Sequence, residues 1–195
     1  MYEQLATLAA HNNGVLTTND ALAAGVSKFV LSRFVSENEY EKVYHGIYLV
    51  PNAWRDDAYL MQLRCPQVVY SHDSALFYHD LTDREPLQLT VTAKTGYNPT
   101  HLTKDGVRVY TVKAELHDVG LTEATTSFGN TVRVYDMERT ICDIVRNRST
   151  METQVYQDAL KQYSRRKDKN LHRLMDYAKA FRVEKMMREY MRILL

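Results

Sequence analysis

The chain has 195 residues, of which 45% are hydrophobic and 25% are charged, with a formal net charge of +1. These values are typical of a globular protein with room for one large domain or two small ones. No apolar run approaches the roughly 18 residues that span a bilayer, so no membrane partner is expected. The N-terminal segment lacks the basic, apolar and small-residue zones of a signal peptide, which predicts a cytoplasmic protein.

The small net charge conceals an uneven distribution along the chain. Residues 1–51 carry 3 basic and 5 acidic side chains, residues 52–160 carry 11 and 15, and residues 161–195 carry 11 and 4. The excess positive charge is therefore concentrated in the last 35 residues. The two cysteines, Cys65 and Cys142, have no metal-ligand spacing and are predicted to be reduced, buried thiols.

Three helices are predicted in the first 38 residues. The first covers residues 2–11, and the second is capped by Thr17 or Thr18 and ends near Ala24. Gly25 supplies a turn, after which Ser27 caps a third helix that runs to about residue 38. A helix, a Gly-containing turn and a second helix are typical of a DNA-binding helix-turn-helix.

The third helix has two distinct faces. Val30, Leu31, Phe34 and Val35 recur at helical spacing and are predicted to face the core. The opposite face then presents Lys28, Phe29, Ser32 and Arg33, which a recognition helix would offer to the major groove. A solvated helix face is the alternative interpretation, although an outward aromatic suits contact with a thymine methyl or a partner.

A β-hairpin follows the third helix. Residues 40–44 and 47–50 form two extended runs that meet at His45-Gly46, which predicts the wing of a winged helix-turn-helix. Lys42 and His45 lie at or near the wing tip, where they would reach phosphate or the minor groove.

Residues 52–195 are predicted to form an α+β domain that ends in basic helices. Predicted helices cover residues 54–64, with Trp54 among the apolar positions, 71–81 and a segment capped by Asp136; predicted strands cover residues 68–70, 87–92, 107–112 and 131–135. The remainder is predicted to be helical, with breaks near Arg148-Ser149 and residues 167–170. The predicted fold class is therefore α+β, with a winged helix at residues 1–51.

Two groups of residues have the chemistry of a catalytic centre. Ser71-His72-Asp73 contains the residue types of a hydrolase triad, but consecutive residues at a helix start are expected to point apart, and capping is the expected role of Ser71. Asp136, Glu138 and Asp143 would suit a divalent-metal nuclease, yet helix capping and contact with the helix dipole also account for Asp136 and Glu138. No phosphate-binding glycine motif is present, so no cofactor is expected.

Three segments together give a family resemblance. They are the winged helix GVLTTNDALAAGVSKFVLSRFVSENEYEKVYHGIYLV, the segment VVYSHDSALFYHDL and the segment VRVYDMERTICDIVR. In this order they resemble the AbiEi family, the antitoxins of a bacterial abortive-infection toxin–antitoxin system, over roughly residues 1–146. The chain departs from the family pattern at His45, where a basic residue is common, and at Asn38, where glycine commonly closes the recognition helix.

The resemblance implies two functions. The winged helix would repress its own operon by binding inverted repeats in the promoter DNA, and residues 52–195 would act as the antitoxin domain. The partner would be a nucleotidyltransferase-like toxin, neutralised without a stable complex, in the context of phage defence. Under this interpretation the protein is not an enzyme. The alternatives are a metal-dependent, DNA-targeted nuclease and a ligand-sensing regulator.

Affinity for DNA depends mainly on phosphate neutralisation, and residues 1–51 offer few cations for it. We therefore expect a monomer or weak dimer that binds DNA cooperatively, aided by the basic cluster at the start of the C-terminal region. Toxin contact and a solvated surface are the other two interpretations of that cluster. The candidate DNA-binding residues are Ser27, Lys28, Phe29, Ser32, Arg33, Lys42, His45, Arg165, Arg166, Lys167, Lys169 and Arg173.

Overall fold

Residues 1–194 are described by a computed structural model, and they begin with a winged helix-turn-helix. Its elements are α1 (Tyr2–His11), β1 (Val15–Thr17), α2 (Thr18–Ala23), α3 (Lys28–Glu37), β2 (Glu41–Tyr44) and β3 (Ile47–Leu49). β3 pairs antiparallel with both β1 and β2, which gives the strand order β1-β3-β2. The predicted helices and hairpin are confirmed, and β1 is an additional strand that the sequence pattern did not reveal.

Side-chain caps fix where α2 and α3 begin. The Thr17 hydroxyl accepts a hydrogen bond from the Asp20 amide at 3.1 Å, and the Ser27 hydroxyl accepts one from the Val30 amide at 3.3 Å. Both caps were predicted, because the signal lies within three residues of sequence. Helix α3 ends at Glu37, close to the predicted residue 38. The Asn38 C-cap has φ −107°, and the left-handed residue that follows is Glu39 at φ 54°.

The wing turn is anchored on the start of α2. The Thr18 amide donates a hydrogen bond to the Gly46 carbonyl at 2.8 Å. Gly46 has φ +73°, and a Cβ at this position would lie 3.0 Å from the Thr18 hydroxyl oxygen. The positive φ therefore favours glycine, and a side chain at this position would also require the Thr18 side chain to shift.

The first compact unit extends past the wing to Pro66. Helix α4 (Asp57–Arg64) belongs to it because Leu60 packs with Val15, Ile47 and Leu49 in one buried cluster. This unit is larger than the segment 1–51 to which we assigned DNA binding, and that assignment stays a prediction. The predicted start of α4 was wrong: Trp54 precedes the helix and is 83% exposed.

Residues Thr126–Asn130 also belong to the first unit, although they connect two later strands. The buried Asp56 carboxylate holds them, accepting hydrogen bonds from the Thr126 hydroxyl at 2.6 Å and the Asn130 side-chain amide at 2.7 Å. Asn13 in turn donates to the Asn130 side-chain oxygen at 2.7 Å. A polar network thus fixes a distant chain segment to the first unit.

The second unit comprises Gln67–Thr125 and the chain from Thr131 onward. Its strands are β4 (Val69–Tyr70), β5 (Thr90–Lys94), β6 (Arg108–Val112), β7 (Leu121–Thr125) and β8 (Thr131–Tyr135), and its helices are α5 (His72–Tyr78), α6 (Thr100–Lys104), α7 (Ala114–His117), α8 (Met137–Arg146), α9 (Thr153–Arg165), α10 (Leu171–Ala180) and α11 (Glu184–Leu194). The strands form one mixed sheet in the order β6-β5-β4-β8-β7. The predicted α+β class is confirmed.

The core of the second unit is built around α8. Residues 138–145 of this helix are all buried. Ile141, Cys142, Ile144 and Val145 join one apolar cluster with residues of α5, α9, α10 and α11. Both cysteines are buried thiols outside any disulfide, as predicted, and burial raises the pKa of the Cys142 thiol.

An arginine lies at the centre of this core. Arg139 is fully buried; its Nε donates to Asp143 Oδ2 at 2.9 Å, and its Nη1 donates to the carbonyls of Leu116 and Val119, both at 2.8 Å. The guanidinium carbon lies 4.0 Å from the Tyr135 ring centroid and 3.9 Å from that of Phe181. Arg139 therefore connects α8 to β8 and to the segment that precedes β7.

Every helix within residues 1–194 is too short or too polar to cross a bilayer. No cluster of three potential metal ligands occurs in this described part of the chain.

Candidate nucleic-acid interface

The predicted face of α3 is exposed. Lys28, Phe29, Ser32 and Arg33 are all accessible, whereas Leu31, Phe34 and Val35 are buried and Val30 is half-buried. Phe29 is 77% exposed, which is unusual for an aromatic side chain that has no packing role. The helix thus presents a cation, an aromatic ring and a hydroxyl side by side at its N-terminal end.

Aromatic packing fixes the orientation of α3. The Phe34 ring contacts Tyr2 of α1 edge-on, with 5.1 Å between centroids, and contacts Tyr40 with 5.3 Å between centroids. Such pairs stabilise the fold beyond the contribution of the apolar area that they bury. Because Phe34 is held from two sides, the opposite face of α3 has a defined direction.

Arg33 is held by an ion pair. Its Nε lies 2.7 Å from Glu37 Oε1, and the Tyr2 hydroxyl donates to Glu37 Oε2 at 2.8 Å. The Arg33 and Tyr2 hydrogen bonds lower the pKa of the Glu37 carboxyl. Any anionic ligand of Arg33 would therefore compete with a carboxylate. The i,i+4 spacing of Arg33 and Glu37 signals this ion pair, but our sequence analysis missed it.

Replacing Glu37 by glutamine should increase DNA affinity severalfold and steepen its salt dependence by about one counterion, because Arg33 is released to phosphate. Fluorescence anisotropy with labelled promoter DNA across a KCl series measures both quantities. Glu3→Gln is the matched control, since it removes the same charge from an exposed position on α1. If both variants increased the DNA affinity equally, the ion pair between Glu37 and Arg33 would not be what limits binding.

The remaining predicted residues of the first unit differ in availability. Lys42 and His45 are exposed on the wing, and within residues 1–194 neither forms an ion pair. The Ser27 hydroxyl already accepts the capping bond from Val30, although it still has a proton to donate. The wing thus offers one lysine and one histidine to a ligand.

The structure divides the predicted basic cluster of the second unit into engaged and available cations. Arg166 pairs with Asp168 through two contacts of 2.8 Å, and Arg173 lies 3.8 Å from both Asp136 and Glu138. Lys169 donates to the Arg166 carbonyl at 3.0 Å. Arg165 and Lys167 are exposed and have no ion pair with any residue that the structure describes. The charge available to a polyanion is smaller than the sequence suggests.

The Ser71-His72 pair forms a hydrogen bond, which corrects our expectation that these side chains point apart. His72 Nδ1 lies 2.9 Å from Ser71 Oγ, and the Thr92 hydroxyl donates to the same oxygen at 2.8 Å. Ser71 occupies the N-cap position of α5 but makes no side-chain capping bond, so its expected role was also wrong. Both side chains are buried, which gives them a structural role in the second unit.

His72 is held as a neutral ring. It stacks on Tyr110 with 3.5 Å between centroids, and the Asn147 side-chain amide lies 2.9 Å from its Nε2. Burial, followed by the nearby arginines, lowers the pKa of His72 to about 3.

As the pH is lowered, the unfolded state therefore binds a proton at His72 before the folded state does. The free energy of unfolding should then fall by up to about 1.4 kcal/mol per pH unit as the pH decreases from 6.5 to about 3. Urea unfolding at several pH values should show a shallower acid slope for His72→Gln. His45→Gln, which replaces an exposed histidine, should follow the wild type. An unchanged slope in His72→Gln would contradict a buried neutral ring.

The carboxylates that suit a nuclease all have structural partners. Asp136 caps α8 by accepting from the Arg139 amide at 2.8 Å, and it also accepts from the Tyr177 hydroxyl at 3.0 Å. Glu138 accepts from the Tyr163 hydroxyl at 3.1 Å and the Asn170 amide at 2.8 Å. Asp143 pairs with Arg139, so these side chains connect α8 to its neighbours.

The three-stranded wing sheet and the capped α3 with its exposed face define a winged helix-turn-helix, a fold that is typical of DNA-binding proteins. Residues 3–51 match the family described as "Transcriptional regulator, AbiEi antitoxin". This match over the N-terminal domain confirms the predicted resemblance to the AbiEi antitoxin family of transcriptional regulators. The resemblance that we drew over residues 52–146 lies outside the matched segment and stays a prediction.

A solved structure shares the fold. The RV2827C protein from Mycobacterium tuberculosis is 14% identical with a TM-score of 0.60, and the match covers 90% of this chain and 69% of that one. At this identity the likeness concerns the fold alone. No curated protein matches the chain in sequence.

Proposed function

We propose that the protein represses its own operon by binding inverted repeats in the promoter, and that it also neutralises a nucleotidyltransferase-like toxin. The observation that carries the DNA-binding part is the exposed face of α3, where Lys28, Phe29 and Ser32 face solvent at the N-terminal end of the helix. In helix-turn-helix proteins this part of the second helix contacts base edges.

The electrostatics of the first unit favour binding by more than one copy. Residues 1–66 and 126–130 contain five basic and seven acidic side chains, and Glu37 engages one of the basic ones, Arg33. Each phosphate contact contributes a counterion-release term, so a module with few free cations binds weakly by itself. Inverted repeats bring two modules to adjacent half-sites, and cooperative binding then raises the affinity.

The antitoxin part rests on the family and on the second unit. The family description names an antitoxin, and residues 67–125 and 131–194 form a unit with its own core. We assign toxin neutralisation to this second unit and DNA binding to the first.

Binding of the purified full-length protein to DNA from upstream of its own gene tests the repressor proposal. We expect a complex at submicromolar protein that survives excess unrelated DNA, and protection of two half-sites about 10 base pairs apart or a multiple of this spacing. Equal affinity for the upstream DNA and for a shuffled duplex of the same composition would contradict the proposal.

Arg165 and Lys167 are the two cations of the basic cluster that are free to add phosphate contacts. If they do so, Arg165→Gln/Lys167→Gln should lower operator affinity about tenfold at moderate salt and reduce the salt slope by about two. Lys179→Gln/Lys185→Gln removes the same charge from other exposed positions of the second unit and serves as the control. If the two double variants lowered the affinity equally, the effect would come from the net charge of the protein and not from phosphate contacts of the cluster.

A further inference from the structure

Phe29 points directly away from the buried side of α3. The buried residues of this helix are Leu31, Phe34 and Val35. Because an α-helix turns by about 100° per residue, Phe29 lies roughly 170° around the helix from their mean direction. The apolar cluster that holds the buried side of α3 does not include Phe29. If α3 enters a groove of DNA, Phe29 is the side chain at its leading edge.

The described residues give the Phe29 ring no partner. Within residues 1–194 it forms no aromatic pair and no cation–π contact. Exposure alone does not indicate a ligand, because protein surfaces also carry isolated apolar side chains. The position is more informative, since Phe29 is the second residue of α3 and the N-terminal end of a recognition helix contacts base edges.

The major groove offers one apolar group to such a ring. A phenyl ring has no hydrogen-bonding atom, so it cannot pair with the carbonyl, amino and ring-nitrogen groups that distinguish the base pairs there. The remaining feature of the base edges is the C5-methyl group of thymine. We infer that Phe29 contacts a thymine methyl in each operator half-site and selects an A·T pair at that position. This inference rests on the proposed repressor function and specifies what α3 recognises.

The side chains beside Phe29 have different chemistry. Lys28 is exposed and forms no ion pair with another described residue, and its ammonium group donates hydrogen bonds to guanine or to phosphate. Ser32 lies one turn further along α3, with a hydroxyl that both donates and accepts. Both side chains suit hydrogen-bonding groups, so we expect a dependence of binding on the methyl group to come from Phe29 alone.

Replacing Phe29 by alanine should leave the fold intact. The ring is exposed, alanine has the higher helix propensity, and the capping bond from the Val30 amide to Ser27 does not involve it. The Tm of Phe29→Ala should therefore equal or slightly exceed that of the wild type, so that a change in binding reports a lost contact.

The test replaces the half-site thymines of the upstream duplex by deoxyuridine, which removes the methyl groups and keeps the base pairs. Anisotropy titrations compare both duplexes with the full-length wild type, Phe29→Ala and Lys28→Ala. We expect the wild type to lose about fourfold in affinity for each contacted methyl, and about tenfold or more for two half-sites. Single replacements then locate the contacted thymine.

The two variants should respond differently to the missing methyl groups. Phe29→Ala should bind both duplexes equally within about twofold, because it has no ring to lose the contact. Lys28→Ala is the matched control: it should bind both duplexes more weakly and keep the wild-type ratio between them, since its lost contacts do not involve the methyl.

Two results would overturn the inference and leave the repressor proposal standing. Specific binding of the wild type without any methyl dependence would show that Phe29 does not contact thymine. An equal methyl dependence in Phe29→Ala would assign the effect to another side chain or to the shape of the DNA. Equal affinity of the wild type for the upstream and the shuffled duplex would instead contradict the repressor proposal, and the inference with it.

Discussion

Replacing Arg139 by methionine should lower the free energy of unfolding by about 3–5 kcal/mol, because the Asp143 carboxylate would remain buried without its cation. Asp143 is 3% exposed, and burial already raises the pKa of its carboxyl despite the adjacent guanidinium. Two carbonyls would also lose their donors. Since a domain of this size is stable by about 5–15 kcal/mol, such a loss approaches global unfolding.

Urea denaturation followed by far-ultraviolet circular dichroism measures this change. Arg165→Met is the control, because it makes the same substitution at an exposed position of the same unit. Combining Arg139→Met with Asp143→Leu should restore much of the stability, since both buried charges are then absent. A loss below about 1 kcal/mol in the single variant would show that the ion pair does not support the core.

The backbone beside Arg139 explains why position 120 must be a glycine. Gly120 has φ +77°, its carbonyl accepts from the Asp136 amide at 2.7 Å, and a Cβ here would lie 2.6 Å from the Arg139 Cβ. The segment before β7 therefore reaches α8 only through a glycine. Gly120→Ala is therefore expected to lower the free energy of unfolding, as Arg139→Met does.

The triple variant Lys28→Ala/Phe29→Ala/Ser32→Ala should weaken operator binding at least about 100-fold, because base-contacting side chains each contribute about 1–3 kcal/mol. All three side chains are exposed, and the Ser27 cap and the Phe34 packing are unchanged, so α3 should remain folded. Anisotropy with the upstream duplex measures the loss, and thermal unfolding verifies the fold.

Trp54→Ala is the matched control for the aromatic part of this effect. Trp54 is 83% exposed in the same unit but lies outside α3, so its removal should change operator affinity by less than about twofold. If Trp54→Ala weakened binding as much as Phe29→Ala, the DNA-contacting surface would lie elsewhere on the first unit.

The sequence predicted those parts of the fold that depend on local signals. The starts of α2, α3 and α8 follow from Thr17, Ser27 and Asp136, whose caps act within three residues. The faces of α3 follow from its helical periodicity. Strand β7 was missed because LTEAT is only exposed or half-buried, and such a strand carries little apolar pattern.

The parts that could not be predicted depend on contacts between distant residues. Nothing near Asp56 in the sequence indicates that it accepts hydrogen bonds from Thr126 and Asn130, 70 and 74 residues later. Likewise, the sequence around Arg139 is compatible both with a solvated helix and with a buried one, so it does not show that Arg139 lies in the core. The candidate interface was predicted as a face. The Arg33–Glu37 ion pair has a local i,i+4 signal, but the hydrogen bond from Tyr2 to Glu37 joins residues 35 positions apart and has no such signal.

Our central proposal, that α3 contacts DNA while the second unit neutralises a toxin, is tested most directly in cells that carry a promoter reporter and a toxin gene from the same operon. We expect the folded triple variant at positions 28, 29 and 32 to lose repression of the reporter and still protect the cells from the toxin. Loss of protection together with repression, at equal protein levels, would contradict the division of labour between the two units.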